Sequence, residues 1–147
     1  MKVLLQRVKE ASVTVNGRVI GQIGRGMVLL TGIARDDSES DIEYMVEKCL
    51  YLRIFDDDEG KMNRSILDIG GGILTISQFT LCADTRKGRR PNFIDAAPPE
   101  VALPLFDYFV ERLQESGLSV ATGIFGARML VNIQNDGPVT VMLESKL

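Results

Sequence analysis

The 147-residue chain contains no histidine and no tryptophan. Without histidine, neither a Ser-His-Asp nor a Cys-His arrangement can be assembled within one chain, and zinc sites built on imidazole are excluded with them. Cysteine is scarce: Cys49 and Cys82 are the only two, and they form no CxxC. Such a pair reads as core or incidental thiols, with no metal site and no disulfide in a reducing compartment. Walker A and Rossmann fingerprints are missing; GQIGRG (21–26) has glycines at the wrong spacing, between strands, and reads as turn glycines. No apolar run approaches the ~20 residues that span a bilayer. The opening MKVLLQRVKE becomes charged again after three apolar residues, whereas a signal peptide needs about 7–15. The expected location is the cytoplasm, with no membrane partner and no cofactor or metal. There is also no excess of positive charge: the net charge is −3 and the pI about 5.0. That argues against coating DNA or RNA along its length.

What is present is an ordinary globular composition, 45% apolar and 25% charged, in a chain of one-domain size, 1–147. KVLLQRV (2–8) reads as a first strand. SVTVNGRVIGQI (12–23) reads as a hairpin around Asn16-Gly17, the strongest short hairpin signal. GMVLLTGI (26–33) reads as a buried central strand. Ile42, Met45, Val46, Cys49 and Leu50 recur at helical spacing, and Ser40 with Glu43 suggests a capping box, predicting a helix over 40–51. LRIF (52–55) reads as a strand. After a turn at Gly70–Gly72, a long strand is predicted over 73–81. Residues 82–97 show no period. Pro98-Pro99-Glu100 opens a second helix, ended by Gly117, in which Pro104 either marks a kink or lies near the start of the regular part. SVATG (119–123), MLVNIQN (129–135) and PVTVMLE (138–144) read as strands. The count of roughly seven to eight strands and two main helices suggests an α/β fold with a mixed sheet.

Three stretches carry candidate chemistry. SQFTL (77–81) places Ser77, Gln78 and Thr80 near a strand end. Composition alone reads it as an ordinary edge strand; the functional reading is that side chains and backbone N–H groups there face a substrate. RKGRR puts Arg86, Lys87, Arg89 and Arg90 within five residues. This is either a solvated loop or a phosphate-holding one. NDGPVT (135–140) has a turn composition around Gly137-Pro138, and an X-Pro bond is trans by default.

SQFTL, ADTRKGRRPNF and NDGPVT together closely resemble the bacterial D-aminoacyl-tRNA deacylase (D-tyrosyl-tRNA deacylase) family. QRV at 6–8, ASVTV at 11–15, YLRIF at 51–55, GKMN at 60–63, AAPPE at 96–100 and FGARM at 125–129 extend the match over nearly the whole chain. The resemblance implies a mixed sheet with a barrel-like core in α/β/β layers. It implies a cytoplasmic homodimer whose active site is shared across the interface. The substrate would be the ester joining a D-amino acid, or mischarged glycine, to the 3′ end of tRNA. By resemblance, Ser77, Gln78, Phe79 and Thr80 wall the catalytic pocket. Gly137 and Pro138 form a cis dipeptide that enters the partner's pocket and rejects L residues, and Arg7 holds it. Phe125 and Met129 lie near the terminal adenine. One departure is Arg128, where many relatives are acidic.

Chemistry without a histidine then requires other groups. Aminoacyl esters are already activated, so a modest acceleration suffices. Backbone N–H groups of Phe79 and Thr80 are the expected oxyanion donors, each worth about 2.7–4 kcal/mol when well placed. The ribose 2′-OH of the substrate is the expected aid to the attacking water. The competing mechanism makes Thr80 a covalent nucleophile, though no side-chain base is evident to activate it. A non-catalytic module that binds the tRNA end is the alternative function, with the basic loop holding phosphates.

Overall fold

A computed structural model describes residues 1–146. In chain order the elements are β1 (Lys2–Val15), β2 (Arg18–Ile23), β3 (Gly26–Gly32), α1 (Glu39–Tyr51), β4 (Phe55–Asp56) and β5 (Met62–Arg64). There follow α2 (Ile66–Ile69), β6 (Gly72–Ser77), a 3-10 helix (Phe79–Cys82), α3 (Pro99–Gln114), β7 (Val120–Thr122) and β8 (Leu130–Glu144). The sheet runs β2-β1-β3-β6-β7, with β8 on the other edge of β1. β1 is antiparallel to β2, β3 and β8, while β3-β6 and β6-β7 are parallel. The sheet curls into a nearly closed barrel: a Cβ on Gly21 of β2 would lie 2.8 Å from the Thr122 carbonyl oxygen of β7.

Alternation along the strands builds two cores. Val3, Leu5, Met27, Leu29 and Ile73 face α1 and α3, packing on Ile42, Met45, Phe109 and Leu113. Val8, Ala11, Val13, Val28, Leu74 and Ile76 face the inside of the barrel. β1 serves both because its register shifts against β8 between Val8 and Ala11. The extra residue there moves the inward face from even to odd positions, so Val8, Ala11 and Val13 all point into the barrel. The helices therefore cover one face of a curled sheet, giving the expected α/β/β layering.

Local structure agrees with the sequence at some points and departs at others. Asn16 and Gly17 both take positive φ, 50° and 77°, as a two-residue hairpin requires. The segments 2–8 and 12–15 are one strand, because β8 pairs with both across the bulge. α1 starts earlier than predicted: Ser38 caps it, and its N–H donates to Asp41 Oδ2 at 2.9 Å. Glu43 instead reaches across to α3, accepting from Arg112 Nε at 2.8 Å. Of the predicted strand over 52–55 only Phe55 pairs, with β5, and the pairing continues to Asp56. α2 was not anticipated; Ser65 and Asp68 cap it. α3 passes through Pro104 without a break, the proline being solvent-exposed. The strand predicted over 73–81 ends at Ser77, and the strands predicted on either side of Asp136 are one, β8. These last two departures shape the candidate site.

Candidate active site

Ser77 is the last residue of β6 and Gln78 continues its pairing by one step, its N–H donating to Thr31 O at 2.7 Å. The chain then tightens into the 3-10 helix, so Gln78 and Thr80 do not share a strand face. The first internal bond of that helix is Leu81 N–H to Gln78 O, at 3.2 Å. The N–H groups of Phe79 and Thr80 precede it and are left without a helical acceptor. The Gln78 side-chain amide donates to the Thr80 hydroxyl. Beneath, the Thr31 and Thr75 hydroxyls pair at 3.1 Å between β3 and β6. The turn thus sits on a buried, fully bonded base.

A cavity of about 240 Å³ opens here, lined by Ile76, Ser77, Gln78 and Phe79 on one side and by Gly126, Ala127, Met129 and Val131 on the other. Met129 lies over Gly123, where a Cβ would collide with its sulfur. Phe125 turns the other way: it packs on the helix-side core, its ring centroid 6.2 Å from that of Phe106. Larger surface clefts exist, one of about 400 Å³ lined by Glu10, Ser12, Gln22 and Asn132 among others.

The basic loop adjoins SQFTL through an aromatic contact. Phe79, 54% exposed, meets Phe93 edge-to-face with centroids 5.1 Å apart. Asp84 and Asn92 exchange backbone hydrogen bonds at 2.7 and 2.9 Å, closing the base of the loop. Arg86 folds back on Asp84 in a two-point contact of 2.8 and 2.7 Å. These hydrogen bonds hold the Asp84 carboxyl well below the usual carboxylate range and push Arg86 up. Lys87, Arg89 and Arg90 are exposed and, among the described residues, form no ion pair.

The second motif interrupts β8. Gln6 pairs with Thr140 and Val8 with Asn135, so Asp136–Val139 bulge out opposite Arg7 alone. The Gly137-Pro138 bond is cis, and both residues are exposed. Arg7 is only 8% exposed. Its Nε donates to Asp136 O at 2.9 Å, and its Nη1 donates to Ile54 O at 2.9 Å and to Asp56 Oδ1 at 3.3 Å. Gly137 has φ +131°, and a Cβ there would come within 2.9 Å of both Arg7 Nη2 and Val139 Cγ2. Glycine is required at this position on both counts.

The model of the family "D-Tyr-tRNA(Tyr) deacylase" matches residues 4–144. The chain belongs to this family. A protein named D-aminoacyl-tRNA deacylase from Roseiflexus castenholzii is 57% identical over 147 residues, covering 100% of this chain and 94% of the relative. One of the same name from Bacillus thuringiensis is 58% identical over 146 residues, covering 99% of this chain and 100% of that one. Among solved structures, one described as c-Myc DNA Unwinding Element Binding Protein superposes with a TM-score of 0.95 at 46% identity, over 100% of both chains. Another, described as a probable eukaryotic D-amino acid tRNA deacylase, matches at 0.84 and 21% identity over 97% of each, which speaks for the fold alone.

Within this deacylase-family chain, Ser77, Gln78, Phe79 and Met129 come together at one cavity. Thr80 sits at its edge through Gln78. Arg7 and Gly137-Pro138 come together at the β8 bulge. Phe125 and the basic residues do not line the cavity. Sequence reasoning missed Gly126, Ala127 and Val131 as lining residues and Asn135 as a bulge partner. FGARM flagged the first two only as a fragment, and the register that exposes Asn135 is invisible before β1 and β8 are paired. No helix among the described residues is long and apolar enough to cross a membrane.

Proposed function

We propose that this chain hydrolyses the ester of D-aminoacyl-tRNA, and of glycine mischarged onto tRNA, while sparing L-aminoacyl-tRNA. Family membership makes it a D-aminoacyl-tRNA deacylase by kind, an ester hydrolase in translation proofreading. The observation that carries this reading is the extent of the family match, which takes in both Ser77–Leu81 and Asn135–Thr140. In this reading the chain works in the cytoplasm as a homodimer, and each Gly137-Pro138 enters the other subunit's cavity. An exposed dipeptide on one surface and a cavity lined by Ser77, Gln78 and Phe79 on another support such an exchange.

Rejection of L residues then follows from shape. A site that grips the amino group and the ester leaves two directions for the side chain, and a backbone wall in one of them excludes every L residue. For the chemistry, the free N–H groups of Phe79 and Thr80 suit an oxyanion. The Thr80 hydroxyl accepts from an amide, which supplies no base, so it serves as a pocket group and the substrate's 2′-OH helps position water. Met129, at the cavity, would lie toward the terminal adenosine, whereas Phe125 packs away from it on the helix-side core. Lys87, Arg89, Arg90 and, more weakly, Arg86 would meet the phosphates of the tRNA end.

The deciding experiment is release of free tyrosine from D-Tyr-tRNA and L-Tyr-tRNA. The expected result is turnover of the first and not the second; no turnover of either would refute the enzyme reading. A tRNA ending in 2′-deoxyadenosine is expected to be inert, and normal cleavage would refute the 2′-OH role. A second reading, a nucleic-acid-binding module without turnover, is favoured by the name of the structure at TM-score 0.95. The acidic balance, with Lys87, Arg89 and Arg90 exposed together on one short loop, suits a strand end better than duplex DNA. Binding without tyrosine release would select that reading.

A further inference from the structure

We propose that Asn135 is a second positioning residue for the Gly137-Pro138 wall, acting from the sheet face opposite Arg7. The inference rests on the reading of that dipeptide as the wall that rejects L residues.

The register sets up the problem. Between the pairs Gln6–Thr140 and Val8–Asn135, β1 has Arg7 alone and β8 has Asp136 to Val139. An excursion of this kind takes backbone N–H and C=O groups away from their ladder partners. Side chains recapture two of them. Arg7 Nε donates to Asp136 O at 2.9 Å, just before the dipeptide. Val139 N–H donates to Asn135 Oδ1 at 2.8 Å, just after it. The Asn135 amide then donates to Thr140 Oγ1 at 2.8 Å, and that oxygen also accepts from Gln6 Nε2 at 3.3 Å. One side-chain amide thus bridges the neck of the excursion, itself fixed at both its oxygen and its nitrogen.

Strand alternation separates the two tethers in space. Arg7 lies on the helix-side face with Val3 and Leu5, while Asn135 pairs with Val8 on the barrel side. Each tether alone leaves the excursion free to rock about the bond it makes. Together they hold both ends from both faces. A wall that works by contact has to resist small displacements, because a misplacement of about 1 Å is enough to change a rate by a large factor. An L side chain would press on that wall, and a D side chain points away from it. Loosening the wall therefore admits L substrates and leaves D substrates less affected. Asparagine suits the position because it offers an acceptor to Val139 and a donor to Thr140 at once. Leucine, of similar size, offers neither. Aspartate keeps the acceptor, and the Thr140 hydroxyl can turn to donate to it.

The test compares kcat/KM for D-Tyr-tRNA and L-Tyr-tRNA in the full-length protein, Asn135→Leu, Asn135→Asp, Thr140→Val and Pro138→Ala. Asn135→Leu is expected to lower the D-over-L ratio about tenfold, the scale of one lost hydrogen bond at a half-buried partner, mainly through a rise in L cleavage. Asn135→Asp should recover most of the ratio, and Thr140→Val should fall between. General loosening of the fold lowers both rates together; an unchanged ratio in Asn135→Leu overturns the proposal. Should that variant fail to fold, an unchanged ratio in Thr140→Val overturns it equally. Pro138→Ala separates the two layers of the argument. If it also leaves the ratio unchanged, the wall reading itself fails; if it collapses the ratio while Asn135→Leu does not, the Asn135 tether alone fails.

Discussion

The two halves of the site are held in place by different means. Gln78–Cys82 follows β6, which lies inside the sheet between β3 and β7, with Leu74 and Ile76 buried beneath. Its position comes from ladder and packing. Asp136–Val139 lies in β8, which pairs with β1 only, and it leaves even that ladder. Its position comes from individual side chains, Arg7 and Asn135. Packing spreads a constraint over many contacts, so single changes there act gradually. A polar tether concentrates the constraint in a few groups, so one substitution releases it. In the proposed reading, the half that supplies donors rests on a packed strand end, and the half that excludes projects and is held by tethers.

The largest expected effect tests the tethered half. Arg7→Met leaves the carbonyls of Ile54 and Asp136 without their donor and should cost about 3 kcal/mol in urea unfolding, with collapse of the D-over-L ratio. A ratio close to that of the unaltered protein would show that Arg7 is not needed to hold the excursion. Gly137→Ala comes next. Its φ of +131° and the contacts its methyl group would make predict a loss of about 1–3 kcal/mol and a lowered ratio in the same two assays. Thr80→Ala, in the packed half, should change kcat less than tenfold, below about 1.4 kcal/mol in the barrier. A loss beyond a hundredfold would restore Thr80 as nucleophile. In salt titrations of tRNA binding, neutralising Lys87, Arg89 or Arg90 should each reduce the slope by about one. Arg86→Gln should change it less, because Asp84 already engages that charge.

The smallest effect is a control outside both halves. Burial favours the neutral form of Asp41, but the Ser38 N–H, the Ser145 hydroxyl and the Lys146 charge outweigh it and hold its pKa at about 2, below the ordinary 3.8. The folded-state value is depressed, so its stabilisation is present above the ordinary value and is lost as pH falls from there through about 2. Asp41→Asn should flatten that acid limb in thermal melts and leave the D-over-L ratio alone. A changed ratio would mean that the α1 cap and the β8 excursion are coupled.

The sequence reveals most where the deciding interactions are local. Asn16-Gly17 announces its hairpin because the turn needs positive φ at two adjacent residues. The period of α1 is plain, but its cap was misplaced by two residues. Ser38/Asp41 and Ser40/Glu43 are equally good boxes, and the choice falls to Arg112, which draws Glu43 to α3. The end of β6 was hidden because Phe79 and Leu81 continue a strand-like alternation through a 3-10 turn. β8 was split because Asn-Asp-Gly-Pro has the composition of a turn; pairing with β1 on both sides overrides it. At the site, SQFTL and Gly137-Pro138 stand out as motifs, whereas the roles of Asn135 and Thr140 depend on which residues of β1 lie opposite. Alternation can be read along one strand, but register cannot.

β8 is last in chain order among the described elements, so it is also the last to leave the ribosome. It carries the Gly137-Pro138 excursion, and its Val131, with Met129 just before it, lines the far side of the SQFTL cavity. It pairs with β1, the first strand to be made, so its docking waits on closure of the longest loop in the molecule. Until that strand arrives, a nascent chain has neither Val131 on the far side of the cavity nor the Gly137-Pro138 excursion. In the proposed reading, the pocket and the wall are therefore completed by one docking event, that of the last strand on the first.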